Sequence, residues 1–210
     1  MPLPAGAIAL NLGCGLSIAP GWINIDNSPN ARLARYPWIR RTLWKLGVLS
    51  DRLYSVAWSD SIQTFDLRKK LPYKDSSVDF VYTSHFLEHL EHTDSRRLMS
   101  EVFRILKPGG MVRVVVPDLA LGARQYVAAI EADPKNAKAA GEFMEWLQLN
   151  RPELRDPHLW MYDAGSLSGM LSGIGFTNVI VCDYRQGRVP DCEVLDRRPD
   201  DSLHMEAVKP

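Results

Sequence analysis

Ala7-Ile-Ala-Leu-Asn-Leu-Gly-Cys-Gly-Leu16 is the stretch that decides the fold. Small and apolar residues run straight into Gly13-Cys14-Gly15, the pattern of a buried strand ending in a tight turn. Glycines at 13 and 15 let the backbone come close to a ligand, because no Cβ stands in the way. A second short run, Trp22-Ile-Asn-Ile25, ends on Asp26. A carboxylate at the tip of a neighbouring strand can accept both hydroxyls of a ribose. Together the two runs describe a nucleoside-binding edge of an α/β sheet.

Working outward, strand-like runs recur at Ile8–Leu12, Trp22–Ile25, Ile62–Phe65, Val78–Thr83, Met111–Val116, Asn178–Cys182 and Leu203–Val208. Helical patterns fall between them. The clearest predicts a helix over Asp94–Leu106, capped by Asp94, with Leu98, Val102, Phe103, Ile105 and Leu106 buried and Pro108-Gly109-Gly110 as its stop. A second is expected over Ser166–Ile174, closing at Gly175. Such alternation gives a mostly parallel sheet covered on both faces. Residues 30–60 and 118–163 exceed that alternation and follow strand carboxyl ends, where open α/β sheets bind ligands. They are the expected lid insertions of one domain spanning 1–210.

Composition excludes several classes. Lys+Arg and Asp+Glu are equal at 25 each, so no overall charge favours nucleic acid. Cys14, Cys182 and Cys192 form an odd, unpaired set that indicates neither a disulfide framework nor a zinc site. The opening Met1-Pro-Leu-Pro-Ala-Gly6 has no signal-peptide pattern, and no apolar run reaches the ~18 residues of a membrane span. The cytoplasm is the expected compartment.

Four ordered blocks carry a resemblance: Asn11-Leu-Gly-Cys-Gly15; Asp26; Phe65-Asp66-Leu67; and Val78-Asp-Phe-Val-Tyr-Thr-Ser-His-Phe-Leu-Glu-His-Leu90 followed by Arg104-Ile-Leu-Lys-Pro-Gly-Gly110. The chain resembles class I S-adenosylmethionine-dependent methyltransferases from residue 7 to about 116, and more loosely the small methyltransferases of polysaccharide or cell-surface biosynthesis. The resemblance implies a Rossmann-like, doubly wound, seven-stranded sheet with one antiparallel edge strand. It implies S-adenosyl-L-methionine held at the turn of Gly13, Cys14 and Gly15, with Asp26 on the ribose and Asp66 and Leu67 at the adenine. Ser84 and His85 would lie near the transferred methyl. Asn11 replaces the acid usual in the family and could still hydrogen-bond the cofactor's amino-acid end. The crossover from Gly15 to Trp22 is short enough for its helix to shrink to a turn.

Acceptor chemistry is read from topology. His85 and His158 are best placed to act as a base, with Tyr162 and Asp118 behind them. His85, Glu88, His89 and His92 cluster in sequence, but no His-Glu-x-x-His order exists and no further ligand set is spaced to complete a site, so no metal is expected. Arg32–Arg52 mixes six basic residues with Trp38, Ile39, Leu43, Leu46 and Leu49. It reads as a cap helix divided at Pro37, or as a weak contact with an anionic membrane surface. The expected activity is O- or N-methylation of a small molecule, with a saccharide or lipid-linked saccharide the first expectation. A catalytically inactive cofactor-binding module is the competing reading. An NAD-dependent oxidoreductase is disfavoured because Ile18 stands where a dinucleotide fold needs its third glycine.

Overall fold

The structure is a computed structural model, and it describes residues 1–149 and 156–210. The strands are β1 Ala9–Leu12, β2 Ile23–Asp26, β3 Gln63–Thr64, β4 Val78–Ser84, β5 Leu106–Pro117, β6 Thr177–Cys182 and β7 Ser202–Val208. They form one sheet in the order β3-β2-β1-β4-β5-β7-β6. The pairs among β1 to β5 are parallel, and β7 is antiparallel to both β5 and β6. A single reversed strand is therefore present, but one position in from the edge. The final strand returns between β5 and β6, and β6 takes the edge.

Strand order reverses direction between β1 and β4, so the carboxyl ends of these two neighbours splay their following loops apart and leave a crevice there. All four residues of β1 are buried, as its uninterrupted apolar run requires of a central strand. One sheet face packs Leu10, Leu12, Val81, Val112 and Val114 against Leu98, Met99, Val102 and Ile105 of α4 (His92–Ile105) and Leu167, Met170 and Leu171 of α7 (Ala164–Ile174). The other face packs Ala9, Trp22, Tyr82 and Val115 against Val189 and Leu195.

That second face also buries Arg113. Its guanidinium donates to Asp196 (2.6 and 3.1 Å), to Glu206 (3.1 Å) and to the carbonyls of Asp183 and Gln186. Tyr82 donates to the same Asp196 at 3.0 Å. Glu206 in turn accepts the backbone N–H groups of Arg188 and Val189. A charge in the middle of a strand is tolerable only when paired this completely.

The helix expected over Asp94–Leu106 starts earlier, at His92, and ends at Ile105. Asp94 is not its cap but a first-turn residue paired with Arg97 at 3.1 Å. Pro108-Gly109-Gly110 do end the helix, yet they belong to β5, because Gly109 and Gly110 exchange backbone hydrogen bonds with Lys209. The helix expected over Ser166–Ile174 gains one turn-edge at Ala164, where Asp163 and Ser166 make a reciprocal capping box. It closes at Gly175, as read from the sequence.

Residues 29–55 form three short helices, α1 Pro29–Ala34, α2 Pro37–Lys45 and α3 Asp51–Ser55. Pro37 does divide the segment, as the first residue of α2. After β5 come α5 Leu119–Ala132 and α6 Ala139–Leu147.

Candidate functional site

The turn after β1 is built from two glycines at positive φ, +65° at Gly13 and +51° at Gly15. A Cβ at Gly13 would overlap the ring of Phe86, whereas one at Gly15 would meet nothing and would project into open space. The first glycine is demanded by packing, the second by backbone conformation alone. Asp26, at the end of β2, ties the turn together. Its Oδ2 accepts Gly15 N–H at 2.9 Å and its Oδ1 accepts Ser28 N–H at 2.7 Å. Each oxygen keeps further lone pairs for a ligand.

These residues open onto a cavity of about 540 Å³ whose lining includes Gly13, Gly15, Asp26, Asp66, Leu67, Phe86 and His89. His85 joins them at the mouth between β1 and β4. Asp66 is held by Arg68 through Nε and Nη2 at 3.0 and 3.2 Å, and that pairing holds its carboxyl below the usual range. Leu67 is buried beside it and offers an apolar wall.

Three sequence-expected cofactor residues sit elsewhere. Asn11 is buried, and its amide donates to Ser17 O (2.6 Å) and Asn24 Oδ1 (2.9 Å), so it braces the short crossover. No helix forms there; the chain turns from Leu12 to Ile23. Cys14 points into a small cluster with Ala31 and Ile62, and burial, then the Asp26 charge, push its thiol up to about 12. Ser84 ends β4 outside the cavity lining, on the alternate side from Thr83.

His85 follows β4 in the left-handed region, φ +49°, anchored by its N–H to Val115 O at 2.9 Å. A non-glycine residue there is held by its surroundings. Its Nε2 lies 2.8 Å from Ser202 Oγ and its Nδ1 3.3 Å from Glu88 Oε1. His158 reaches the same place from residues far along the chain. Leu159 and Trp160 donate backbone N–H to Glu88 O at 2.7 and 3.2 Å, which pins the loop onto the turn Leu87–His89. Burial holds the His158 imidazole below its ordinary pKa, while Glu88 pulls it upward.

A second cavity, about 280 Å³, is lined by His85, Glu88, His89, Gln148, His158 and Asp201, among others. His85 and His89 line both cavities. Tyr162 does not reach either lining. It is packed in the main core, where burial raises its phenol, and it contributes its carbonyl to Leu119 N–H. Asp118 caps α5. Glu88 is the residue the sequence reading underrated. Its position beside two histidines was visible, but the approach of His158 was not.

Among the described residues, no helix is long and apolar enough to cross a membrane. Trp38 on α2 is 71% exposed, with Leu46 and Val48 exposed after it. Arg40 of the same helix is engaged by the carbonyls of Leu53, Tyr54 and Val56.

Comparison with known proteins places the fold. A family profile described as a methyltransferase domain matches residues 9–181. No curated protein matches the chain in sequence. Among solved structures, an S-adenosylmethionine-dependent methyltransferase of Methanosarcina mazei is 19% identical with a TM-score of 0.53, covering 99% of this chain and 94% of its own. One from Archaeoglobus fulgidus is 16% identical with a TM-score of 0.54, covering 97% and 87%. A Thermotoga maritima protein described as a possible histamine N-methyltransferase is 18% identical with a TM-score of 0.52, covering 99% and 84%. The fold, the glycine turn and the profile over residues 9–181 agree: the chain belongs to the methyltransferase-domain family and is an S-adenosylmethionine-dependent methyltransferase.

Proposed function

We propose that this chain methylates an oxygen or nitrogen of a small polar acceptor held in the cavity around His85, His158 and Asp201. The carrying observation is that His85 and His89 line both the larger and the smaller cavity. Among the described residues, these two imidazoles are the side chains that the two cavities share.

The residues fit the cofactor. The larger cavity falls within the ~300–1,000 Å³ usual for small-molecule sites. Gly15 leaves open space where a side chain would intrude. Asp26 would hold the ribose hydroxyls, and Asp66, with Leu67 beside it, the adenine. When bound, S-adenosylmethionine supplies an electrophilic methyl on a sulfonium. What the protein adds is alignment and, for a hydroxyl acceptor, a base. His85 is our candidate base, since Glu88 and Ser202 flank its two ring nitrogens. His158, with its Nδ1 bonded to Leu147 O at 2.8 Å, would orient the acceptor.

The smaller cavity is lined mainly by polar groups, including Arg198 and Gln148, which suits a hydroxyl-rich ligand such as a saccharide. Exposed Trp38, Leu46 and Val48 near Arg41 and Lys45 support a lipid-linked form of that acceptor. The segment 118–163 supplies Trp146, Gln148 and His158 to the cavity wall, consistent with a lid role.

Calorimetry with S-adenosylhomocysteine tests the cofactor half. We expect binding by the wild type, weakened at least tenfold by Asp26→Ala with Asp66→Ala; equal binding by that double variant would sink the assignment. Turnover against a panel of saccharides tests the acceptor half. Retained cofactor binding with no methylation of any hydroxylated or amine acceptor would favour the inactive module instead.

A further inference from the structure

Glu88 is fully buried, at 0% exposure, and neither carboxylate oxygen accepts a hydrogen bond among the described residues. His85 Nδ1 stands 3.3 Å from Oε1 but out of hydrogen-bond alignment. A buried carboxylate without partners is costly and calls for a compensating positive charge.

Two imidazoles approach it. Glu88, His89 and His158 each offer one ligand atom, and these atoms lie within 4.8 Å of one another. One nitrogen of each ring faces a backbone carbonyl. His89 Nδ1 lies 3.2 Å from Pro157 O, and His158 Nδ1 lies 2.8 Å from Leu147 O. A carbonyl can only accept, so both Nδ1 atoms carry a proton, and in the neutral rings that a metal binds each Nε2 presents a lone pair. Metal-ligating histidines are characteristically fixed in this way, the second nitrogen donating to a carbonyl.

We propose that Glu88, His89 and His158 form a site for one divalent transition-metal ion, of which zinc is the best fit, with its open position facing the smaller cavity.

Two imidazoles and one carboxylate with room for an exchangeable ligand is a donor set of catalytic type, and it favours zinc over magnesium, which prefers oxygen. Ligands of a tetrahedron with bonds of ~2.1 Å stand ~3.4 Å apart, a spacing that atoms all within 4.8 Å of one another reach by small side-chain adjustments. Leu159 and Trp160, bonded to Glu88 O, hold the two chain segments in register for that closure. His85, with Nδ1 3.3 Å from Glu88 Oε1, would help hold that carboxylate in addition to its proposed role as the base.

The site deepens the methyl-transfer reading and rests on it for its use. An acceptor hydroxyl in the open position would be acidified by the ion, which would sharpen its nucleophilicity near neutral pH. The binding itself stands independently of that use. The lone sequence cue, Glu88-His89 on one turn, was insufficient because the third ligand comes from position 158, 69 residues beyond His89.

The test uses the full chain, stripped with a chelator. Zinc chloride is titrated by calorimetry, and cobalt(II) is titrated with its visible spectrum recorded. One equivalent of zinc should bind, and cobalt should give the intense bands of a four- or five-coordinate ion. His158→Ala and Glu88→Gln should each weaken zinc binding about 100-fold or more, and His85→Gln about 10- to 100-fold. S-adenosylhomocysteine binding by Glu88→Gln should match the wild type, which separates this proposal from the cofactor assignment. Absence of stoichiometric zinc binding overturns the site, as does cobalt with the pale spectrum of its aquo ion. The cobalt measurement needs no variant, so it decides even if the substitutions impair folding.

Discussion

Asp26 and Gly15 are joined by a 2.9 Å hydrogen bond from the Gly15 N–H to the carboxylate Oδ2, so the acid expected to hold a ribose also shapes the glycine turn beside it. The other oxygen takes Ser28 N–H at 2.7 Å. Asp26→Ala removes both supports and one ligand acceptor together. We expect S-adenosylhomocysteine affinity to fall about 10- to 100-fold, as loss of a charged hydrogen bond implies. Asp26→Asn keeps the shape but turns one amide proton toward a backbone donor, so it should lie between alanine and wild type. Calorimetric ranking of the three proteins checks the order.

Asn11 supplies the next prediction. Both protons of its amide go to acceptors, Ser17 O and Asn24 Oδ1, while Asn24 itself donates to Ala19 O and Trp22 O. Restoring the acid common in the family would set a buried carboxylate against two oxygens. Asn11→Asp should therefore destabilise the fold by about 3 kcal/mol, more than Asn11→Ala, because an uncompensated buried charge costs more than an unmade bond. Urea unfolding of both variants distinguishes them. An aspartate variant as stable as the alanine one would refute the brace.

Legibility followed the range of the interactions. The β1 strand, the Gly13 and Gly15 turn, Asp26 and the Gly175 helix stop rest on neighbours in sequence, and the sequence reading found them all. The start of α4 was missed because Asp94 looks like a cap, although extended Glu91 and the turn before it fix the start at His92. The reversed strand lies one position inside the edge because pairing of β7 with β5 is a long-range choice that no local pattern encodes. His158 joining Glu88, and Arg113 burying itself between Asp196 and Glu206, depend on segments far apart in sequence. Tyr162 and Cys14 read as site residues by position, yet Tyr162 packs into the main core and Cys14 into a small cluster with Ala31 and Ile62.

Gly13→Ala should report on the wall between turn and cavity. The new Cβ would overlap the Phe86 ring at a residue with φ +65°. Phe86 lines the larger cavity, so displacing it should weaken S-adenosylhomocysteine binding as well as lower the melting temperature. Adding Phe86→Ala removes the overlap but not the backbone strain, which costs on the order of 1–2 kcal/mol. The double variant should recover part of the stability lost by Gly13→Ala relative to Phe86→Ala alone, a coupling that a double-mutant cycle measures.

Arg113→Leu should be the most destabilising of these changes. It leaves Asp196 and Glu206, both fully buried, without their shared cation. Breaking one partner of such a network costs about 3–5 kcal/mol. The proposed cofactor residues Gly15, Asp26 and Asp66 sit at or just beyond the ends of β1, β2 and β3 and are not partners of Arg113, so protein that remains folded should bind S-adenosylhomocysteine normally. Urea midpoints and calorimetry on the same sample separate the two effects.

The same buried face gives the protein a pH dependence. His204 is buried with Nε2 unbonded among the described residues, facing Asp196 Oδ2 at 3.8 Å and the ring of Tyr184. Burial holds its imidazole below the ordinary 6.5, opposed by Asp196 and reinforced by Arg113. Above 6.5 both folded and unfolded chains carry the neutral ring, so it contributes no slope there. As pH falls below that value the unfolded chain takes up the proton first and stability drops, until the folded ring also titrates and the loss levels off. His204→Phe removes this proton uptake while keeping a ring against Tyr184. Urea unfolding at pH 8 and at pH 5.5 should therefore show a smaller fall for the variant than for the wild type. Parallel falls in the two proteins would mean that the buried ring is charged in the folded state, and the assignment of His204 as a neutral core imidazole would have to be abandoned.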